Sequence, residues 1–185
     1  MHDTIPLYSL FSVEIPASAS PTIKSESITL DTETTGLSPD HGAEILQLSI
    51  INQDGEVSSV LMKGSEYTVA IRFRFNRKVE NPIFAFTIKD PKGTELCGTN
   101  TMLEGKTLER VEAGMTGVVR FRQKMRLQGG QYFLSLGCTS YAGDELKVHH
   151  RLYDICHIQV VSDYNTIGVY DVESDISYAN LNYAR

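Results

Sequence analysis

The chain has 185 residues, 41% of them hydrophobic and 22% charged, with a formal net charge of -6 at pH 7. A chain of this length buries a full core and is most simply one domain with an arm or tail. The negative balance gives no bulk attraction to nucleic acid or anionic lipid. Cys97, Cys138 and Cys156 are isolated from one another, so the pattern predicts neither a disulfide framework nor a zinc site. Small apolar packing in a reducing compartment suits them better. No apolar run approaches the roughly 20 residues that span a bilayer. The N-terminus has no basic leader followed by an apolar run, so no signal peptide is expected.

Residues 1–41 read as an arm: one irregular strand over 5–15, an Ala/Ser/Pro linker over 16–21, and a short strand over 27–33. The sandwich domain is expected over 42–185. It opens with a strand over 43–52, carrying Ile45, Leu46, Leu48, Ile50 and Ile51. Asp54 and Gly55 signal a hairpin turn, and residues 57–62 are expected to return from it. The strongest signal follows. Tyr67, Val69, Ile71, Phe73 and Phe75 alternate with Thr68, Ala70, Arg72 and Arg74, the period of a strand with one dry face. Phe84, Phe86 and Ile88 repeat it after a polar loop over 76–82. Pro91, Lys92 and Gly93 close that second strand with a turn.

A shorter strand is predicted over 95–101 and a connection between sheets over 106–112. A strand over 117–125 places Val119 and Phe121 opposite Arg120 and Arg122. Gly129 and Gly130 turn the chain into a strand over 131–138. Strands over 146–153 and 155–161 follow a turn at 141–144, and a last short strand is predicted over 168–172. No window carries sustained helical spacing with caps. Strands recurring every 8 to 12 residues or so predict an all-β antiparallel sandwich, because two such amphipathic strands need a second sheet to cover their phenylalanines.

Four patterns bear on chemistry. Asp31 and Glu33, in the run Asp31-Thr32-Glu33-Thr34-Thr35-Gly36-Leu37, resemble the first acidic motif of the DnaQ-like 3′–5′ exonucleases, where such carboxylates hold two metal ions. His149 and Asp154 copy the spacing of that family's last motif, base and metal ligand respectively. The middle motif is absent between residues 60 and 140, Asp90 lies in a turn, and the helices that fold needs are not predicted. The nuclease is therefore the alternative reading, against a solvated arm and a polar strand end. Gly105, Lys106 and Thr107 are not a phosphate loop, because Asn100 stands where the first glycine belongs and no helix follows.

Arg72, Arg74, Arg120 and Arg122 point away from the phenylalanine side of their strands; if those two strands share a sheet, the four line one outer face that either pairs with nearby glutamates or binds phosphate through guanidinium forks. Phe133, Ser135 and Gly137 occupy the outward side of their strand, with His157 and Gln159 on the outward register of a later one. An aromatic platform beside planar hydrogen-bonding groups suits a sugar ring. Burial of Phe133 by a loop or a partner subunit accounts for the same pattern.

Over residues 42–178 the chain resembles the C-terminal domain of Wzt-type proteins, the ATPase subunits of ABC exporters for O-antigen polysaccharide. The likeness is carried by Ala43, Glu44 and Ile45 leading to Asn52, Gln53, Asp54 and Gly55, then by Gly64, Ser65 and Glu66. Asn81 to Phe84, Ile88 to Asp90 with Gly93, Gly98 to Thr101, residues 129–136, and Ile158 to Val160 with Gly168 continue it in order.

The resemblance implies an immunoglobulin-like antiparallel β-sandwich with no catalysis, no metal and no cofactor. It implies recognition of the modified non-reducing end of an O-antigen polysaccharide, a homodimer, and attachment to a transmembrane exporter subunit through the full-length protein. The nucleotide-binding domain would lie upstream, and the setting would be the inner face of the cytoplasmic membrane, with no nucleic acid as partner. The site residues rest on strand register: Phe133 stacking on the sugar beside Ser135, His157 and Gln159 binding hydroxyls, and Arg120 and Arg122 meeting a terminal phosphate if their face is the relevant one. Residues 163–166 form a polar hinge, so the strand over 168–172 is expected to pair with the partner molecule.

Overall fold

The alternation over 67–75 produces the strand it predicts. A computed structural model describes residues 28–29 and 42–179. In it, Glu66–Phe75 buries Tyr67, Val69, Ile71, Phe73 and Phe75 and turns Arg72 and Arg74 to solvent. The described elements, in order, are β1 (Ile28–Thr29), β2 (Ala43–Ile51), β3 (Val60–Met62), β4 (Glu66–Phe75), β5 (Val79–Glu80) and β6 (Ile83–Lys89). They continue with β7 (Glu95–Asn100), β8 (Arg110–Val111), β9 (Thr116–Lys124), β10 (Gly130–Ala142) and β11 (Glu145–Val161). The described residues include no helix. The strand expected over 5–15, the linker over 16–21 and the acidic pair Asp31 and Glu33 lie outside the described residues, as does the chain beyond residue 179.

Two sheets face each other, one in the order β1-β2-β4-β9 and the other β3-β11-β10-β6-β7, with β5 and β8 as a small ribbon beside them. All neighbours are antiparallel except β3 with β11. The core lies between the sheets. Phe84 of β6 meets Phe73 of β4 at 4.4 Å between ring centroids and Phe75 at 6.2 Å with the planes at 70°. Phe86 meets Phe121 of β9 edge-on at 5.2 Å. Such pairs contribute about 0.5–1.5 kcal/mol each beyond the area they bury. Gly117 sits opposite Phe73 on β9, and a Cβ there would meet the ring at 2.7 Å; the missing side chain makes room for the phenylalanine. Cys138 and Cys156 are buried and all three cysteines are free thiols. Burial pushes the Cys138 thiol up to about 12, which leaves it inert.

The structure departs from the predicted hairpin at β3. Asn52 Oδ1 accepts from the amides of Asp54 (3.0 Å) and Glu56 (2.9 Å), closing the turn as expected. After it, only Val57 bridges back to β2, at Ile51. Ser58 Oγ then bonds the backbone of Val60, and the chain crosses to lie parallel to β11. Alternation shows that Leu61 is buried between exposed Val60 and Met62; it does not say which sheet receives them.

The segment over 168–172 is not a strand either. It makes one bridge, Tyr170 to Leu127, and is held by a polar knot instead. Lys63 Nζ pairs with Asp171 at 2.6 Å, with both side chains under a tenth exposed. It also donates to Gln128 Oε1 at 2.9 Å and to the Tyr164 carbonyl at 3.1 Å, and lies 4.3 Å from the Tyr164 ring. Gln128 Nε2 in turn donates to Thr166 Oγ1 at 2.6 Å. A buried cation with this many acceptors is costly to strip of any one of them.

Two outcomes are expected. Phe84→Ala should lower unfolding free energy by about 3–5 kcal/mol, read by denaturant titration, whereas Arg72→Ala should change it by less than about 0.5 kcal/mol. The hydrogen bond from Lys63, then that from the Glu173 amide, holds the Asp171 carboxyl below its ordinary range. A lowered acid adds stability above its unfolded pKa and loses it as pH falls through the folded one. Tail docking should therefore be constant around neutrality and fail in acid, below about pH 4, seen as faster amide exchange over 164–173.

Candidate functional site

β10 alternates as predicted. Tyr132, Leu134, Leu136 and Cys138 enter the core, so Phe133, Ser135 and Gly137 project from the outer face of the five-stranded sheet. Register sets their neighbours. Phe133 lies between His157 of β11 and Lys89 of β6, and Gln131 lies beside Gln159. The Phe133 and His157 rings are 5.5 Å apart, and His157 Nε2 and Gln131 Oε1 are 3.0 Å apart. Gly137 lies between Ala85 and Arg151, and Thr87 beside Gly98. A Cβ on Gly98 would come within 2.5 Å of the Phe86 carbonyl oxygen. The middle of the face is therefore a floor of small residues with aromatic and polar groups around it.

An irregularity in β11 builds the rest. Leu134 faces Cys156 but Leu136 faces Leu152, so β11 carries extra residues across from Ser135. Asp154 takes the left-handed conformation there, φ 52°, which costs an L-residue roughly 1–2 kcal/mol. Three contacts offset the cost. The Asp154 amide donates to Ser135 Oγ at 3.0 Å, the hydroxyl donates to Asp154 Oδ1 at 3.1 Å, and Lys89 Nζ reaches the same oxygen at 3.3 Å. The bulge leaves Tyr153 60% exposed. Its ring lies 5.2 Å from Lys89 Nζ, and its hydroxyl accepts from Arg151 Nη1 at 3.4 Å.

Of the residues expected at a site, the structure brings Phe133, His157 and Gln159 onto this one face. Ser135 shares it but is buried beneath Asp154, so it holds the bulge rather than meeting a ligand. Arg120 and Arg122 do not join them. They face out from the other sheet, across from Ala70 and Thr68, on the opposite side of the sandwich. The stripe with Arg72 and Arg74 is real, and half of it is paired: Arg74 with Glu44 at 2.6 Å, and Arg122 with Glu66. Arg72 and Arg120 make no ion pair among the described residues. The reason for the split is that alternation separates faces within a strand and is silent on which sheet the strand joins.

The nuclease constellation finds no support. His149 is buried, with Nε2 2.8 Å from Ser140 Oγ, while Asp154 projects onto the outer face. Among the described residues no group of three or more His, Cys, Asp or Glu is placed to hold a metal ion. Sequence reasoning missed Lys89 and Tyr153, and it offered Asp154 only as a metal ligand of the nuclease alternative. The signal available was the break in alternation at Asp154, between the strands predicted over 146–153 and 155–161; the bulge falls at that break.

The family model for the Wzt C-terminal domain matches residues 37–172. The chain belongs to the Wzt C-terminal domain family. A solved structure titled "Crystal structure of the C-terminal domain of wzt" is 23% identical, covers 75% of this chain and 85% of its own, and superposes with a TM-score of 0.70. At that identity it shows a shared fold, an all-β sandwich. A comparison with curated proteins returned no match. As a Wzt C-terminal domain, the chain is a carbohydrate-binding domain of an ABC exporter in the general sense. No helix among its described residues is long and apolar enough to cross a membrane.

Ser135→Ala should cost about 1–3 kcal/mol, because it leaves the Asp154 amide without its acceptor. The loss should show in the Asp154 amide exchange rate before it shows in global unfolding.

Proposed function

We propose that this Wzt domain recognises the modified non-reducing end of an O-antigen polysaccharide on the outer face of its five-stranded sheet. One observation carries the reading: Phe133, its ring tilted at 59° to that of His157, shares an outer face with exposed Tyr153, with Gln131, Gln159, Lys89 and Asp154 around a floor of small residues. Aromatic rings take the C–H faces of a pyranose and planar polar groups take its rim. Catalysis has no part in this reading. The domain acts by holding a finished chain end so that the exporter accepts it.

In the same reading two copies pair and are joined to a transmembrane exporter subunit through the full-length protein, on the cytoplasmic side of the membrane. The support for pairing is the tail. Tyr170 lies against Leu127 and Glu173 pairs with Lys124 at 2.8 Å, so the chain heads along β9, the edge of its sheet. Ile167, Val169, Val172, Ile176 and Tyr178 are exposed there. An open strand edge beside an extended apolar segment is a template for strand addition between copies.

Retention of the matched polysaccharide, with and without its terminal cap, is the test. The capped form should bind more tightly, and Phe133→Ala should weaken it about tenfold, whereas Arg120→Ala should leave it unchanged. Equal retention of both forms, or loss with Arg120→Ala alone, would move recognition away from the chain end or from this face. A monomeric mass at high concentration would remove the pairing.

A further inference from the structure

We infer that Lys89 and Asp154 are the specificity-determining pair of this face, and that together they select a sugar ring presenting two neighbouring free hydroxyls. The inference rests on the carbohydrate reading above and narrows it. Lys89 has only 14% of its side chain exposed, and its ammonium group is held at the floor of the face by Asp154 Oδ1, 3.3 Å away, and by the Tyr153 ring at 5.2 Å. An ammonium has three N–H donors, and the Asp154 carboxylate, its one ion-pair partner among the described residues, takes up one of them. Asp154 is 49% exposed. Its Oδ1 already accepts from Ser135 and Lys89, while Oδ2 has no partner among the described residues. A donor and an acceptor therefore stand open side by side.

The charge balance decides the ligand class. A lone lysine at this position would favour a phosphate or a carboxylate, and a lone aspartate would favour an amino sugar. Here each cancels the other at contact distance, so an anionic group would be repelled by Asp154 as it approached Lys89. The other ionisable groups on the face are Arg151, His157 and Glu95, and the Arg151 cation and the Glu95 carboxylate offset each other in the charge count. Arg151 donates to the Tyr153 hydroxyl, His157 bonds Gln131, and Glu95 lies exposed across from Lys89 at the edge strand. A hydroxyl pair satisfies both members at once: one oxygen accepts from Lys89 Nζ, and the neighbouring hydroxyl donates to Asp154 Oδ2. Hydrogen bonds to charged groups are the stronger kind. The exposed face of Tyr153 is then available to the C–H side of the same ring. The left-handed turn at Asp154, φ 52°, is what carries the carboxylate to Lys89, and Ser135 is the positioning residue that holds it there.

The test titrates the domain with methyl hexopyranosides, their mono-deoxy and mono-O-methyl derivatives, and the corresponding uronic acid and phosphate forms, following residue-resolved amide shifts. The expected result is shifts at Lys89, Ser135 and Asp154 with the parent glycoside, a dissociation constant about tenfold weaker when either hydroxyl of the pair is removed, and no gain from an anionic substituent. Lys89→Met should erase the deoxy penalty at one of the two hydroxyl positions, and Asp154→Asn should reduce it at the other. The Ser135 and Asp154 amide positions in the unliganded variants report whether the bulge survives. Tighter binding of the anionic forms, or an undiminished deoxy penalty in Lys89→Met, overturns the inference. So do shifts confined to other parts of the domain, or produced by the polysaccharide and by none of the glycosides; both leave carbohydrate binding itself standing. No shift with any glycoside or with the polysaccharide removes the underlying reading as well.

Discussion

The contact of Phe84 with Phe73 and Phe75 is the constraint on which the rest depends. It joins β6 of one sheet to β4 of the other across a core that sheet packing holds near 10 Å thick. Once those rings interlock, a one-residue slip of either strand would turn its buried set to solvent. Neither strand can slide, and every neighbour paired to it inherits its register. β10 pairs with β6 along its length, so the inward setting of Phe84 and Phe86 determines that Phe133 and Gly137 point outward. The geometry of the candidate site follows from the core.

The face itself owes its character to one place where the ladder is broken. A regular β11 would present a simple alternating row across from Ser135. The bulge instead lifts Tyr153 into solvent and folds Asp154 back over the Ser135 hydroxyl toward Lys89. A left-handed aspartate persists only where its surroundings hold it, and here side-chain bonds take over the work of backbone pairing. Strain of this kind, on the rigid middle strands of a sheet, sets ligand-facing groups more firmly than a loop would.

The tail shows a different logic. Its exposed apolar residues do not hold it to the body; Lys63, Gln128, Thr166 and Asp171 do. A polar knot of this kind fixes one geometry because each member has a particular partner, whereas apolar contact alone would tolerate sliding. Beyond it Glu173 pairs with Lys124 at the end of β9, an edge strand, which is the feature that makes pairing between copies a physical question for this domain.

Much of the architecture was legible in the chain itself. Period-two runs through β4, β6, β9, β10 and the last third of β11 determined which of their residues are buried, that the body is a sandwich, and that Phe133, His157 and Gln159 face outward. Local chemistry also determined the turns at Asn52 to Gly55 and at Asp90 to Gly93. These are properties of neighbouring residues, and a sequence records neighbours. Three matters depended on contacts between distant residues, and only the tertiary structure decided them. It sent β3 to the far sheet. It put Arg120 and Arg122 on the face opposite Phe133, and it brought Lys89, Ser135 and Asp154 together from three strands. Alternation specifies two sides of a strand and carries no label for the sheet that strand will join, and a bulge is visible only against the partner that it fails to match.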